Sequence, residues 1–138
     1  MKTVSELNSI LFKELKKSHL SKVINGGIYI GDKSRPKDSI KEDIIINTIS
    51  ATQDYHPQIG TSNVNIYVPD KPANVFGQQQ LVESTERLDE LSIIAMDILR
   101  NARFKGLKII LGSQTILVEP NINQSFSNIR IDWNIQTN

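Results

Sequence analysis

The sequence predicts a single α+β domain over residues 1–138, in which a mostly antiparallel sheet of five to six strands carries two helices on one face. Two observations support this fold class. Two segments repeat their apolar residues at the spacing of a helix face, and the other apolar segments are short, rich in Ile and Val, and bounded by Gly, Pro and Asn. The predicted order is helix, three strands, helix, three strands, which favours helices packed on one side of an antiparallel sheet.

The first helix is predicted from about Val4 to His19. Polar residues alternate with one apolar stripe, as expected for a helix at the surface of a domain. The stripe consists of Leu7, Ile10, Leu11 and Leu15. His19 ends the predicted helix, where a partial positive charge suits the helix dipole.

The second helix is predicted to begin at Gly77 as its N-cap and to end near Arg103. Gln80 follows Gly77 by three residues and Phe76 is placed to pack on Leu81, a pattern typical of a helix N-terminus. The predicted buried stripe contains Leu81, Leu88, Leu91, Ala95, Ile98 and Leu99.

A second apolar set lies roughly opposite this stripe. It consists of Val82, Ile93 and Met96. Apolar residues beyond the buried stripe often mark an interface. We therefore expect either the first helix or a loop of the same chain, or another subunit, to cover them.

Six strands are predicted, at residues 28–30, 43–50, 63–68, 107–111, 115–119 and 127–135, and a turn at 112–113 separates the fourth from the fifth. The isoleucine run at 44–46 does not alternate with polar residues, which indicates an interior strand with apolar neighbours on both faces. The last strand alternates strictly, which predicts one buried and one solvated side. Its buried side contains Ile129, Ile131, Trp133 and Ile135.

No combination of residues indicates catalysis, a cofactor or a metal site. The chain has no cysteine, and its two histidines lie in different predicted elements. The glycine-rich segment 26–34 is similar to a phosphate-binding loop with one residue too many. Its centre is an apolar strand, and Pro36 stands where the helix of such a loop begins. We therefore expect the protein not to be an enzyme.

Two loops are candidate contact sites. Tyr55 and His56 stand in a loop that also contains a carboxylate and a proline. Lys33, Arg35 and Lys37 make the loop at 31–42 basic, although acidic residues dilute it and no aromatic residues are interleaved. We expect a solvated loop or a contact surface there, and no sequence-specific binding of nucleic acid. The predicted interface set consists of the five loop residues Lys33, Arg35, Lys37, Tyr55 and His56 together with Val82, Ile93 and Met96.

Charge is sorted along the chain although the net charge is +1. Residues 1–41 contain nine basic residues (Lys or Arg) and four acidic residues (Asp or Glu). Residues 42–99 contain two basic and nine acidic residues, and residues 100–138 contain five basic and two acidic residues. Either these blocks neutralise one another within the fold, or basic and acidic faces meet between neighbouring copies.

The N-terminal segment has no apolar core typical of a signal peptide, and no apolar run approaches membrane-spanning length. These features predict an intracellular protein that does not interact with a membrane.

The arrangement of elements resembles the tail-terminator and tail-completion proteins of tailed bacteriophages and prophages, which are the small neck proteins at the head-to-tail joint. The resemblance covers most of the chain. It depends on the element order, on the strand Val64-Asn-Ile-Tyr-Val68 leading to a helix with Arg87-Leu-Asp-Glu-Leu91, and on Glu119-Pro120 before Asn128-Ile-Arg-Ile-Asp-Trp133.

This resemblance implies a virion assembly protein that catalyses no reaction. It implies a ring, of about six copies, that caps the tail tube and meets the head-completion proteins, with neighbours in head-to-tail contact. The location implied is the neck of the virion, assembled in the cytoplasm of the host bacterium. The alternative is a small intracellular binding or regulatory domain that acts as a dimer and uses the polar face of its sheet for a protein or nucleic-acid partner.

Overall fold

The computed structural model describes residues 1–136, in which helices pack on a five-stranded sheet. The helices are α1 (Val4–Lys17), α2 (Leu20–Val23) and α3 (Thr85–Asn101), and single 3-10 turns occupy Asp32–Ser34 and Pro120–Ile122. The strands are β1 (Ile28–Ile30), β2 (Asp43–Ala51), β3 (Gln58–Pro69), β4 (Lys71–Val75), β5 (Gln78–Val82), β6 (Leu107–Glu119) and β7 (Gln124–Ile135).

The main sheet has the order β1-β2-β3-β7-β6, and β4 pairs with β5 in a separate two-stranded sheet. Every pairing is antiparallel except that of β1 with β2. The predicted α+β class with a mostly antiparallel sheet is therefore confirmed. The predicted order is wrong, because α2 and the β4–β5 pair are additional and the segment 107–119 is one strand.

One hydrophobic core lies between the sheet and the two long helices. Every second residue of β2, β3 and β7 faces it, and the buried leucines of α1 and α3 fill it from the other side. The predicted buried face of β7 is confirmed. Trp133 is the largest fully buried side chain, and its indole nitrogen donates a hydrogen bond to Ser62 Oγ at 2.8 Å.

Helix α1 begins with a capping box, in which Thr3 and Glu6 satisfy each other's backbone N–H groups. It ends at Lys17, because Ser18 turns the chain: its backbone N–H and its hydroxyl both donate to the carbonyl oxygen of Leu15. The predicted end at His19 is therefore wrong. His19 instead precedes the short helix α2.

The segment predicted to begin the second helix forms the β4–β5 hairpin. Phe76 and Gly77 both have positive φ, at 50° and 82°, and these two residues connect five-residue strands. Positive φ at both positions is the geometry of a type I′ turn. Gly77 is therefore not an N-cap. Helix α3 has Ser84 at its N-cap position and begins at Thr85, and Leu81 lies half exposed on the hairpin.

A bulge replaces the turn predicted at 112–113. Leu111 pairs with Ile131 and Gln114 pairs with Ile129, so two residues of β6 oppose one residue of β7. Such a bulge bends a strand without ending it. The predicted fourth and fifth strands are consequently the two halves of β6, which has 13 residues.

Gly26 allows the chain before β1 to approach the start of β2. A methyl group at Gly26 would overlap the Asp43 carboxylate and the backbone carbonyl oxygen of Glu42, whereas one at Gly27 would meet the outer end of the Tyr29 ring. A backbone carbonyl cannot yield without moving β2, but an aromatic ring can rotate.

We expect Gly26→Ala to lower the free energy of unfolding by about 1–3 kcal/mol, because the β2 backbone must shift. The matched variant Gly27→Ala should lower it by less than about 1 kcal/mol. Urea unfolding followed by circular dichroism measures both changes. Equal losses in the two variants would show that the close approach at Gly26 is not required.

Candidate interaction surfaces

The loop at 31–42 crosses the outer face of the sheet, and Arg35 holds it there. Its Nε donates to Asp43 Oδ2 at 2.8 Å, one terminal nitrogen donates to Gln124 Oε1 at 2.7 Å, and the guanidinium carbon lies 4.4 Å from the centre of the Tyr67 ring. The Arg35 side chain is 9% exposed. This member of the predicted interface set is thus engaged inside the chain.

Asp43 is the acceptor at the centre of this arrangement. Its carboxylate accepts hydrogen bonds from the Gly27 backbone, the Ser39 hydroxyl and Arg35, and its side chain is 2% exposed. Burial opposes ionisation, but these hydrogen bonds outweigh it and keep the pKa of Asp43 below its usual value. The carboxylate therefore connects the chain before β1, the loop and β2.

Glu42 makes the corresponding connection on the helix side. Its carboxylate accepts two hydrogen bonds from Arg87 of α3, at 2.6 and 2.8 Å, and Arg87 also donates to the carbonyl oxygen of Val23. Hydrogen bonds to Glu42 raise the pKa of Arg87 above its usual value. This contact fixes the N-terminal half of α3 against the chain that leads into β2.

An open cavity of about 700 Å³ lies beside this network. One wall is the backbone of Gly26 and Gly27 with the Tyr29 ring, and the other is the loop from Pro36 to Lys41. Ile40 stands at the rim and is 78% exposed. The cavity therefore presents apolar groups to solvent beneath a basic loop.

Val82, Ile93 and Met96 do not form one surface. Val82 is half buried at the end of β5, and Met96 is partly buried against the core. Ile93 lies on the outer side of α3 and is 63% exposed. The acidic residues around it are Glu86, Asp89, Glu90 and Asp97.

The other predicted contact residues lie at two ends of the sheet. Lys33 and Lys37 are exposed on the loop that carries Arg35. Tyr55 and His56 are exposed in the connection between β2 and β3, which lies at the opposite end. The structure does not bring these two pairs together.

Two features escaped the sequence interpretation. Phe76 is fully exposed at the tip of the hairpin, and strand β6 leaves Ile110, Leu117 and Val118 about half exposed along the edge of the sheet. Gly77 was the sign of a turn there, but the residue before it is not one that type I′ turns favour.

Within residues 1–136, no three His, Asp or Glu side chains are close enough to hold a metal ion. In the same range, no helix combines the length and the hydropathy needed to cross a bilayer. The outer sheet face is instead polar: the Asn128 amide donates to the side chains of Asn63 and Asn65, at 3.1 and 2.7 Å.

Because of Asp43, we expect the free energy of unfolding to fall at acid pH. Because its pKa is lower in the folded chain than in the unfolded chain, its contribution is present above the unfolded value, about 3.9, and is lost as the pH falls through the folded value. We expect Asp43→Asn to lower the free energy of unfolding at pH 7 by about 3 kcal/mol, since it leaves Arg35 without its buried partner.

Urea unfolding between pH 7 and pH 2 measures this dependence. The free energy of unfolding should fall less steeply below pH 4 in the variant than in the parent protein. Asp38→Asn, which removes an exposed carboxylate from the same loop, should keep the parent profile. Identical acid profiles in the parent and in Asp43→Asn would contradict the assignment.

Comparison with known proteins assigns no family to this chain. No family model matches the sequence, and no curated protein matches it.

Proposed function

We propose that the chain is a non-enzymatic virion assembly protein of a tailed phage or prophage, a tail-terminator or tail-completion component that forms a ring at the head-to-tail joint. The observation that carries this proposal is strand β6, a 13-residue edge strand with apolar side chains in solvent. Among residues 1–136, no strand pairs with its outer side.

An edge of this kind favours association. Proteins that act as monomers cover a long edge strand or mark it with charge, because its free N–H and C=O groups attract other strands. In β6, the charged residues Lys108 and Glu119 stand near the two ends, and the intervening segment is uncharged. Ile110, Leu117 and Val118 add apolar area along this segment, and a neighbouring copy would remove that area from water.

The remaining surface supports unlike contacts on different sides. The acidic outer side of α3 surrounds the exposed Ile93 on the helix side of the sheet, whereas the basic loop at 31–42 crosses the opposite face. Unlike surfaces on different sides suit head-to-tail association, which gives a ring when the rotation closes. The tail-tube and head-completion proteins are the partners that the resemblance implies.

The outer sheet face supports a second candidate, a small binding domain that acts as a dimer. Its asparagine cluster, formed by Asn63, Asn65 and Asn128, presents amide groups between β3 and β7. Such a face offers hydrogen bonds to a polar partner, and a two-fold dimer would present two such faces.

We expect the purified protein to form closed rings as its concentration rises. Sedimentation velocity should give a species of about six times the 15.6 kDa chain mass, and negative-stain microscopy should show rings. A species that remains at one or two copies at high concentration, without affinity for a tail-tube protein, would contradict the proposal. Two copies alone would support the dimeric binding domain.

We expect Leu117→Lys to weaken ring formation by at least about tenfold in concentration, because it places a charge in the apolar part of β6. Ser9→Lys adds the same charge on the exposed side of α1 and serves as the control. Both variants should unfold at the same urea concentration as the parent. Unchanged assembly of Leu117→Lys would exclude β6 as a contact.

A further inference from the structure

The tip of the hairpin carries an aromatic residue that the fold does not explain. Phe76 is fully exposed and has a φ of 50°. A bulky residue at positive φ is strained, and Asn is the usual residue at the first central position of a type I′ turn. An exposed, strained aromatic side chain indicates a contact outside this chain.

The cavity beside Gly26 and Gly27 has the chemistry to accept such a side chain. Its volume of about 700 Å³ lies in the range of pockets that hold small ligands. Tyr29, Pro36 and Ile40 supply apolar contact, and the glycine backbone allows a ring to approach closely. A buried phenyl ring removes about 150–250 Å² from water.

The charges near the two surfaces allow this contact. Lys37 and Lys41 are exposed on the cavity wall, with Asp38 between them. On the hairpin side, Glu83 and Glu86 are exposed where β5 leads into α3, although Lys71 stands at the start of β4. The residues beside Phe76 are Asn74, Val75, Gln78 and Gln79, which carry no charge. A hairpin tip that docks in the cavity therefore brings no like charge to the lysines of the rim.

The two surfaces also lie at the same end of the sheet. The hairpin follows the end of β3, and β3 pairs Tyr67 with Asp43, which lines the cavity. In copies arranged around an axis parallel to their strands, this end of the sheet lies at the same height along the axis in every copy. A five-residue hairpin extends about 16 Å, which allows it to reach across to a neighbour.

From these observations we infer that Phe76 of one copy docks in the cavity formed by Gly26, Gly27, Tyr29, Pro36 and Ile40 of the next copy. The partner is a second copy of this chain, and the contact is head to tail. This inference rests on the ring proposed above and specifies one of its contacts.

Thiol crosslinking tests the contact directly, because the chain has no cysteine of its own. Gln78→Cys places a thiol beside the tip and leaves Phe76 intact, and Asp38→Cys places one on the cavity wall. The two variants are mixed, one with a mass tag, and treated with a short thiol-specific crosslinker. We expect the mixed pair to exceed either pair of like variants, and Tyr55→Cys, at the other end of the sheet, to crosslink poorly with Gln78→Cys.

The masses in the same samples separate the two proposals. Closed rings without the mixed crosslink would overturn the hairpin contact and leave the ring proposal standing. Mixed crosslinks in open chains or pairs, with no closed ring, would support the contact and overturn the ring. Neither association nor crosslink at high concentration would overturn both.

The variant Phe76→Asn separates a contact from a structural role. It installs the residue preferred in this turn, so the hairpin should be retained and the free energy of unfolding should not fall. We expect the dissociation constant for self-association to rise by at least about tenfold. Gln79→Asn, on the same hairpin, serves as the control. Unchanged association of Phe76→Asn would overturn the inference.

Discussion

Two adjacent carboxylates at the start of β2 hold both sides of the sheet in place. Asp43 faces outward and binds Arg35 of the loop, whereas Glu42 binds Arg87 of α3 on the helix side. A buried carboxylate without its partner costs several kcal/mol. The loop and the helix must therefore both be in position for β2 to take its place between β1 and β3.

This network makes a surface loop part of the scaffold. Arg35 and Pro36 line the outer face together with Ile45, which is buried although it points away from the core. Gly26 lets the chain before β1 approach Asp43, so the wall of the cavity is fixed from two directions. The cavity is consequently supported by buried hydrogen bonds, and a partner that binds there loses little conformational entropy in ordering it.

The sequence predicted those features that follow from which residues of a strand are buried. The alternation at 129–135 and the unbroken isoleucines of β2 identified a one-sided and a two-sided strand, and both are confirmed. The segment 78–82 carried no such signal. Its three glutamines suit a helix or a strand, and the turn at Phe76-Gly77 decided the outcome through backbone geometry.

The candidate surfaces were harder to predict because they depend on pairing across the fold. Arg35 counted as one of several cations in a loop, and its neighbours Asp43, Tyr67 and Gln124 are assembled from three strands. Lys33 and Lys37 have no such partners in the residues described and remain in solvent. The sequence shows which residues are charged and which are apolar. Only the fold shows which charged side chains already have a partner within the chain.

Head-to-tail contact imposes a requirement on the edges of this molecule. Such contacts repeat on every copy, so an assembly either closes or grows without limit. Continuous strand addition favours growth, and two features limit it. Pro72 removes an N–H group from β4, and the bulge at 112–113 restricts pairing along β6 to its two halves, 107–111 and 114–119. An aromatic side chain docked in a cavity would add a second point of contact between neighbours, and two separate contacts restrict the angle between them. A restricted angle is what closure of a ring requires, and Phe76 at the two-residue turn supplies a side chain suited to this second contact.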